Sequence, residues 1–471
     1  MPDPVLLPLP LGTVGIAHFL PEAVFHAVID DFLFRVYPLT PFIHIPQFKA
    51  QLAERSFETN PAFFRLCVAL CAVTVASLPR NFATNGSGGW RNAVDMVERA
   101  SQLITCSYMA TMPSWQDEPS AERLKVSLLQ GIAFVYVGRT KTGYLYLNEA
   151  VPCCRDLELH RRQSYQTLNP VEIELQKRLF WLLLISQCHD RMDDLVPRSG
   201  LSYYPCRTDW EFLLLREVSD EELSGDSSHS AGSTPIISGF IALVKLYLSV
   251  LDHLEEFFPG ASAIHVLSPG GVASRVLPCI RTNTNQVQVQ SVFPMLDSLQ
   301  QVIQKLNTVV DELPEPLTLS RNSERIPDPD VATAQLDHQF QTMSANIHMT
   351  AIYLQSTMLE ICLGRWRKCY QQNKEEKGTP FALIEESISN HLWSIKAALA
   401  ERLLHFLECL SGPELESNGQ SMIVKIRQVA STFLDEESDF RESGASFVNN
   451  FSYQCLDKVI SVLTKIDFLG I

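Results

Sequence analysis

The hydrophobic positions of this chain recur at helical spacing. Between Phe25 and Tyr37 the apolar side chains fall on one helix face, and Phe63–Leu78 is apolar on nearly all sides, as a central helix would be. No Asn-Gly turn joins two alternating apolar runs, so the signal for β-strands is poor. The sequence therefore predicts an all-α, multi-helix fold. Further helices are predicted over Val94–Met109, Ala121–Tyr136, Phe293–Leu313 and Thr333–Tyr370.

The helix with the clearest start signals is predicted over Pro170–Leu195. Asn169 is a favourable N-cap, Pro170 suits the first helical position, and Glu172 completes a capping box. The run Leu179–Ile185 predicts that the middle of this helix is buried on most sides.

Polar stretches divide the chain into candidate domains. Ser219–Thr234 is rich in Ser, Gly, Asp and Glu, which predicts a flexible linker over residues 219–235. We therefore expect an N-terminal half over residues 1–218, a second helical half over residues 236–370, and a C-terminal helical extension over residues 371–471.

The charge balance and the apolar runs argue against two classes of partner. The formal net charge is −15, whereas nucleic-acid binding needs concentrated Lys and Arg to neutralise phosphates. The stretch Met1–Pro10 has no Lys or Arg and so no signal-peptide n-region. The longest apolar runs, Leu66–Leu78 and Leu179–Ile185, are shorter than the roughly 18 residues of a membrane span. The sequence predicts neither direct nucleic-acid binding nor a membrane partner.

The cysteines do not form a metal-binding pattern. The chain has 12 cysteines but no C-x-x-C, and Cys67 and Cys71 lie inside an apolar helix while Cys153 and Cys154 are adjacent. A structural zinc site needs thiolates or imidazoles spaced to form a tetrahedron. We therefore expect buried free thiols, no metal site and no other cofactor.

Catalytic signatures are absent as well. The chain contains no P-loop, no dinucleotide-binding glycine pattern, no G-x-S-x-G and no H-E-x-x-H. His189 is followed by Asp190, but adjacent helical residues point in different directions and cannot chelate one ion together. We therefore expect no catalytic, cofactor-binding or metal-binding residues and no enzyme activity.

One enzymatic alternative stays open. The acidic sequence Asp190–Asp194 resembles the helical Mg²⁺ motif of terpene cyclases, which are also all-helical, because carboxylates three or four residues apart share a helix face. Those enzymes need a second Mg²⁺ motif, and the closest stretch here has His391 and Ala398 where Asp and Glu are required. The interpretation we prefer is a polar helix end at which Arg191 balances the acids.

A set of ordered segments resembles one protein family. In Phe32–Phe48 an aromatic helix ends at Tyr-Pro and is followed by a Pro-hydrophobic-hydrophobic-His stretch. Gly138–Ala150, continued by Asp156–His160, and then Gln176–Trp181 follow in the family's order and spacing. Together they are similar to the middle homology region of fungal zinc-cluster transcription factors, particularly of maltose and amylase regulators and of secondary-metabolite cluster regulators. The resemblance covers roughly Pro21–Leu434.

The resemblance implies an all-helical regulatory domain of a nuclear transcription regulator that controls a metabolic or secondary-metabolite gene cluster. Its partners would be other regulators or coregulators, and a small-molecule effector could bind between helical lobes. The matched motif positions have structural roles in this interpretation. They are Tyr37, Pro38, His44, His160, Arg178, Phe180, Trp181 and Arg191.

The DNA-binding element of the family is not found in this sequence. Members normally carry a six-cysteine zinc cluster ahead of the homology region, and no such pattern occurs here. We expect contact with DNA only indirectly, or through a cluster missing from the N-terminus. Whether Met1 is the true start stays open, and so does a further alternative, an interaction partner of a full-length regulator that does not itself bind DNA.

Other departures from the family concern local geometry. Many members have Gly where this chain has Glu158, and if that position needs a positive φ, Glu there costs about 1 kcal/mol or more. Pro152 lies inside the preceding predicted helix and is expected to kink or end it.

Overall fold

The structure, a computed structural model, is helical throughout its described part. It describes residues 15–84, 89–112, 114–193, 207–225, 234–251, 253, 292–319, 331–373, 379–410, 415–433 and 456–464. Within these ranges no β-strand occurs, and the predicted all-α, multi-helix fold is confirmed. None of the helices in these ranges combines the length and the apolar character that crossing a lipid bilayer requires.

Where the sequence predicts a helix, the observed helix begins and ends within a few residues of the predicted bounds, apart from the first. The first half contains α1 Glu22–Asp31, α2 Ile45–Ala53, α3 Pro61–Ser77, α4 Pro79–Thr84, α5 Ala93–Thr111, α6 Ala121–Tyr136, α7 Thr140–Asp156 and α8 Pro170–Asp193. The remainder contains α9 Trp210–Leu213, α10 Asp220–Leu223, α11 Ile237–Leu251, α12 Val292–Asp311, α13 Val331–Asn373, α14 Thr379–Cys409 and α15 Gly419–Ser431. A last helix covers residues 456–464.

Helix α3 forms the centre of the first half. The Asn60 side chain caps it, because Oδ1 accepts from the backbone N–H groups of Ala62 (3.0 Å) and Phe63 (3.2 Å). Nearly every side chain from Phe63 to Ser77 is buried. Helices α1, α5 and α6 pack around it, so the predicted central helix is confirmed.

The first helix changes pitch where the sequence predicted one continuous helix over Phe25–Tyr37. The α-helix ends at Asp31, Phe32–Val36 forms a turn of π-helix, and a 3-10 turn follows over Tyr37–Leu39. Pro38 explains the change, because its ring would clash with the carbonyl group four residues earlier in an α-helix and it has no N–H to donate.

A side chain from the second half satisfies the carbonyl groups that this change releases. In a regular α-helix the carbonyl oxygen of Phe34 would accept from residue 38, which is Pro38 and has no N–H. The Gln339 amide in α13 donates instead to the carbonyl oxygens of Leu33 (3.2 Å) and Phe34 (3.1 Å). The π-helical turn is thereby joined to the long helix of the second half.

The end of α7 and the turn after it contain both positions at which the sequence departs from the family, Pro152 and Glu158. The helix continues through Pro152 to Asp156, so Pro152 does not end it. Glu158 has a φ of 49°, as expected if this position needs the left-handed region. The backbone N–H groups of Glu158 and Leu159 donate to the carbonyl oxygens of Arg155 (2.9 Å) and Cys154 (3.3 Å), the pattern of a Schellman motif.

Helix α8 has the predicted start and the predicted burial. The Glu172 backbone N–H donates to Asn169 Oδ1 (2.9 Å), and the Asn169 backbone N–H donates to Glu172 Oε2 (3.2 Å). This is the expected capping box. Every side chain in Leu179–Ile185 is buried.

Helix α13 packs against α11, α12, α14 and α15. The buried side chains form one contiguous apolar cluster that includes Trp181 of the first half, Tyr353 of α13 and Phe406 of α14. The core therefore passes from one half into the other. The division into two halves and an extension stays a prediction.

Candidate effector cavity

The motif residues meet at a buried carboxylate, Asp220, in the short helix α10. A capping box opens this helix: Ser219 Oγ accepts from the Glu222 backbone N–H (3.2 Å), and Glu222 Oε2 accepts from the Ser219 backbone N–H (3.0 Å). The turn buries Leu223 and leaves Asp220 only 7% exposed. The polar stretch thus begins with an ordered, inward-facing acid.

Two motif side chains and a backbone group donate to the Asp220 carboxylate. Arg178 Nη1 donates to Oδ1 (2.9 Å), while the Tyr37 hydroxyl (2.9 Å) and the Ile45 backbone N–H (3.0 Å) both donate to Oδ2. Arg178 Nη1 also lies 3.3 Å from the carbonyl oxygen of Pro41. A buried ion pair therefore joins α8 to α10, and hydrogen bonds from Tyr37 and Ile45 join α10 to the turn after α1 and to the start of α2.

His44 completes this cluster and starts α2. Its Nδ1 accepts from the Gln47 backbone N–H (3.3 Å), which caps the helix. A ring nitrogen that accepts leaves Nε2 as the donor of the neutral imidazole. Nε2 lies 2.7 Å from the carbonyl oxygen of Asp220 and 2.9 Å from Ser224 Oγ. We call Tyr37, His44, Arg178 and Asp220 the Asp220 cluster.

The prediction of a flexible linker over residues 219–235 is wrong at its start. Residues 219–225 are helical or turn, and their acid is held from both sides. A polar composition indicates that most side chains of a stretch contact solvent. A single carboxylate in that stretch can still be buried when several hydrogen-bond donors compensate for its lost hydration.

Electrostatics keeps the tyrosine of the cluster protonated. Burial raises the pKa of the Tyr37 phenol, and the neighbouring Asp220 carboxylate raises it further. A phenol that keeps its proton stays a hydrogen-bond donor, so Tyr37 can donate to Asp220 throughout the physiological pH range.

The aromatic pair of α8 anchors the core beside this cluster. Phe180 and Trp181 are fully buried, and Trp181 Nε1 donates to the carbonyl oxygen of Leu213 in α9 (2.8 Å). The ring of Trp210, at the start of α9, lies 5.9 Å from that of Trp181. Buried indoles require such a partner for their N–H.

The other motif positions lie elsewhere. Pro38 sits in the 3-10 turn after α1. His160 is buried, its carbonyl oxygen accepts from the Asp209 backbone N–H (3.0 Å), and burial lowers the pKa of its imidazole. The side chain of Arg191 lies outside the described residues.

A cavity of about 210 Å³ lies between helices that come from distant parts of the chain. The π-helical turn with helices α3, α6, α7 and α8 lines one side, and α11, α13 and α15 line the other. This is where the sequence predicts an effector site, between helical lobes. Much of the wall is apolar and includes Val36, Val73, Ile132, Ile185 and Leu243.

Polar groups converge at one end of the cavity. Lys425 of α15 lines it while being only 3% exposed. Its Nζ donates to Asn346 Oδ1 (2.9 Å) and to Thr350 Oγ1 (2.8 Å). Among the described residues that line the cavity, none is Asp or Glu. The described wall of the cavity therefore contains an ammonium group and no carboxylate.

His189 lies at the same end. Its Nε2 shares a hydrogen bond with the Tyr247 hydroxyl, and its ring stacks on Tyr353 with centroids 5.6 Å apart. Burial lowers the pKa of His189 well below its usual value, and the positive charge of Lys425 lowers it further. The imidazole is therefore neutral at physiological pH.

Metal or thiol chemistry finds no support in the described part of the chain. No group of three or more His, Cys, Asp or Glu side chains there could hold a metal ion. The acidic sequence Asp190–Asp194, on which the terpene-cyclase alternative depends, has its acidic side chains outside the described residues. The described cysteines are free thiols and mostly buried, as predicted, and burial raises the pKa of Cys71 and Cys154.

Part of the chain matches a known protein family. Residues 29–186 match the family model described as the fungal specific transcription factor domain. Residues 29–186 are therefore similar to a fungal specific transcription factor domain. The matched range contains Phe32–Phe48, Gly138–His160 and Gln176–Trp181, so the resemblance drawn from those segments is confirmed. It supplies three members of the Asp220 cluster, and α10, beyond its end, supplies the fourth.

Curated relatives of this domain agree with that match. The chain is 26% identical over 251 residues to Activator of stress genes 1 of Saccharomyces cerevisiae, covering 50% of this chain and 24% of the relative. It is 28% identical over 82 residues to a transcriptional regulatory protein of Schizosaccharomyces pombe, covering 17% of this chain and 10% of the relative. The matched region is thus at most about a quarter of each relative's length. No solved structure matches the chain.

Sequence reasoning missed Asp220 and Lys425. The Ser219-x-x-Glu222 capping pattern before an apolar residue could have indicated α10. Lys425 lies on the apolar face of α15 between Met422 and Val429. A lysine on a buried helix face is the signal that could have indicated a polar group aimed into the interior.

Proposed function

We propose that this chain is the regulatory domain of a transcription regulator and acts through protein contacts and a bound effector, without catalysis. The match of residues 29–186 to the fungal specific transcription factor domain carries this proposal. The Asp220 cluster supports it, because Tyr37, His44 and Arg178 are used for buried scaffold contacts and not for an open reactive site.

In this proposal the residues of this chain do not themselves contact DNA. A net charge of −15 does not favour phosphate binding. We propose that a zinc cluster outside this sequence, or a partner regulator, contacts the promoter. Location in the nucleus and control of a metabolic or secondary-metabolite gene cluster belong to the same proposal and are supported by the resemblance to regulators of that kind.

A reporter experiment tests the proposal. The chain is fused to a bacterial DNA-binding domain, with and without a strong activation domain, and reporter transcription is compared with matched fusions that lack the chain. We expect the chain to activate the reporter or to reduce the output of the activation domain. Asp220→Asn should weaken this effect because it disrupts the buried cluster, whereas the neighbouring Glu221→Gln should preserve it. Equal output with and without the chain in both contexts would contradict the proposal.

A further inference from the structure

We infer that Ser164 is a phosphorylation site for a protein kinase whose substrate groove carries carboxylates, and that the phosphate opens the turn that Ser164 closes. The modification stands on this turn and its sequence, and its consequence for transcription rests on the proposed function.

The residues around Ser164 carry a charge pattern that kinases recognise. Arg161 and Arg162 precede Ser164 by three and two positions and are the only adjacent arginines in a chain of net charge −15. Tyr165 follows directly. Kinases select substrates by such charge patterns, and guanidinium groups match carboxylates because they form bidentate hydrogen bonds with them. The sequence therefore fits a kinase that reads two arginines ahead of a serine.

Ser164 lies at the surface, in the connection between α7 and α8. Arg162 is exposed and Ser164 is half-buried, within a 3-10 turn over Arg162–Tyr165. Tyr165 anchors this turn, because its ring is buried and its hydroxyl donates to the carbonyl oxygen of Leu159 (2.7 Å). A kinase therefore acts on the turn after it opens locally, and surface connections are among the least costly parts of a fold to open.

The hydroxyl group of Ser164 closes the turn. Its Oγ lies 3.0 Å from the carbonyl oxygen of Glu158 and 2.8 Å from that of Arg161, and it donates its proton to them. In the phosphoryl transfer, Oγ attacks the γ-phosphorus of ATP, the new Oγ–P bond replaces the bond to the β-phosphate oxygen, ADP leaves, and the proton passes to the catalytic aspartate of the kinase. The ester oxygen that results can donate to neither carbonyl group.

The phosphate also changes the charge balance of the turn. Phosphoserine carries about −1.5 to −2 charges at neutral pH, and here it lies beside carbonyl oxygens near the end of α7, where the helix dipole is negative. Arg161 pairs with the Glu158 carboxylate (3.0 Å) in the unmodified chain. The phosphate competes for Arg161 and repels Glu158, so we expect phosphorylation to open the turn.

The turn is in direct contact with α9. The Arg162 backbone N–H donates to Oδ2 of Asp209, the residue before α9 (2.7 Å). The ring of Tyr165 lies edge-on to that of Phe212, with centroids 5.0 Å apart. The same helix accepts the hydrogen bond of the buried α8 tryptophan. A phosphate on Ser164 therefore weakens the contacts of the helix that precedes α10 and the Asp220 cluster.

Phosphorylation of the purified chain tests the inference. The probe is the catalytic subunit of cyclic-AMP-dependent protein kinase with ATP, and a synthetic peptide of residues 158–168 is the reference without a turn to open. Mass spectrometry of proteolytic fragments locates the phosphate. We expect phosphate on Ser164 of the folded chain, at a lower rate than in the peptide because only the opened turn reacts. No phosphate on Ser164 of the folded chain, with or without phosphate on the peptide, would overturn the inference.

Variants separate recognition from access. Arg161→Gln and Arg162→Gln should each lower the rate at least about tenfold in the peptide, the usual loss for one charge-assisted contact. Asp209→Ala should raise the rate in the chain, because it removes the acceptor that holds the turn on α9. The matched control is Thr167→Ala, at an exposed position of the same connection, which should leave the rate unchanged. Rates that do not depend on either arginine contradict the inference.

Hydrogen exchange measures the opening of the turn. The phosphorylated chain should exchange backbone hydrogens faster than the unmodified chain over residues 158–166 and 209–213, while α3 stays equally protected. Kinase-treated Ser164→Ala is the control and should match its untreated form. Equal exchange of the phosphorylated and unmodified chains in both segments would show that the phosphate leaves the turn closed, against the inference.

The two proposals fail in distinguishable ways. A chain that is phosphorylated on Ser164 but leaves the reporter unchanged contradicts the transcriptional function alone. A chain that regulates the reporter but takes up no phosphate on Ser164 contradicts the modification alone.

Discussion

Arg178 is a large, fully buried side chain, and its guanidinium pairs with the carboxylate of Asp220 at 2.9 Å. A buried pair of this kind contributes little net stability, because both ions lose their hydration. Removing one member is different, since the other charge stays buried without compensation. The Asp220 cluster is therefore more informative about fold specificity than about total stability.

Asp220→Asn should destabilise the protein by about 3 kcal/mol or more. The amide keeps the shape of the carboxylate but cannot balance the Arg178 charge, and its NH2 group opposes donors such as the Tyr37 hydroxyl. Urea unfolding of the purified chain measures the loss. Glu221→Gln, one residue away, is the matched control and should change stability by less than about 0.5 kcal/mol. In an Arg178→Met background the cost of Asp220→Asn should fall; full additivity of the two changes would show that the pair is not coupled.

Glu158→Gly should stabilise the protein, and the comparison with Glu158→Ala isolates the reason. Both variants remove the exposed contact of Glu158 with Arg161, but only Gly relieves the backbone, whose φ is 49°. We expect Glu158→Gly to exceed Glu158→Ala by about 1 kcal/mol in the free energy of unfolding. Equal stabilities of the two variants would mean that the positive φ carries no strain.

Glu158 and Asp220 differ in how well their environments can be predicted from the sequence. The strain at Glu158 could be anticipated, because a family position normally occupied by Gly carries backbone information. The burial of Asp220 could not, because its partners Tyr37 and Arg178 lie 183 and 42 residues away in the chain. No local pattern encodes which distant donors will surround one acid.

Among the helices, α6 and α7 show how small residues set the distance between two elements. A Cβ added at Gly143 would lie 2.6 Å from Val135 Cγ2 and 2.8 Å from the carbonyl oxygen of Gly131. A backbone oxygen cannot move aside as a side chain can. The crossing therefore requires glycine at this position.

Gly143→Ala should cost about 1–3 kcal/mol, the usual penalty for overpacking, despite the better helix propensity of Ala. Gly364→Ala in α13 is the matched control, because an added Cβ there meets nothing within 4 Å. It should stabilise the protein by about 0.5–1 kcal/mol. Thermal unfolding of both variants gives the comparison, and two shifts of the same sign would contradict the close approach.

Helix existence was predictable from hydrophobic spacing, because each helix buries an apolar face or is buried all round. One exception is α10, which lies in the predicted linker, and another is Phe32–Val36, where a continuous apolar pattern predicted an α-helix instead of a π-helical turn. Pro38, which causes this turn, is visible in the sequence. Gln339, whose side chain donates to the released carbonyl groups and so stabilises the turn, comes from a distant part of the chain.

At the scale of the whole molecule, one apolar core extends from α1 to the last helix, and two histidines whose pKa values are lowered lie among its helices. His189 lines the cavity, and His348 of α13 donates from Nε2 to the carbonyl oxygen of Leu317 (3.2 Å). Burial lowers the pKa of both, that of His348 to about 4. The free energy of unfolding is therefore linked to pH.

Stability should fall as the pH drops from about 6.5 towards 4. In this window the unfolded chain binds protons at these histidines and the folded chain does not, so acid favours the unfolded state; above 6.5 both states are neutral and the effect vanishes. For His348 alone the loss between about pH 7.5 and about pH 5 is of the order of 2 kcal/mol. His348→Gln should remove that part of the pH dependence, measured as urea unfolding at the two pH values. His18→Gln, at an exposed histidine, is the control. Identical pH profiles for His348→Gln and the unmodified chain would show that His348 is protonated as readily in the folded protein as in the unfolded one.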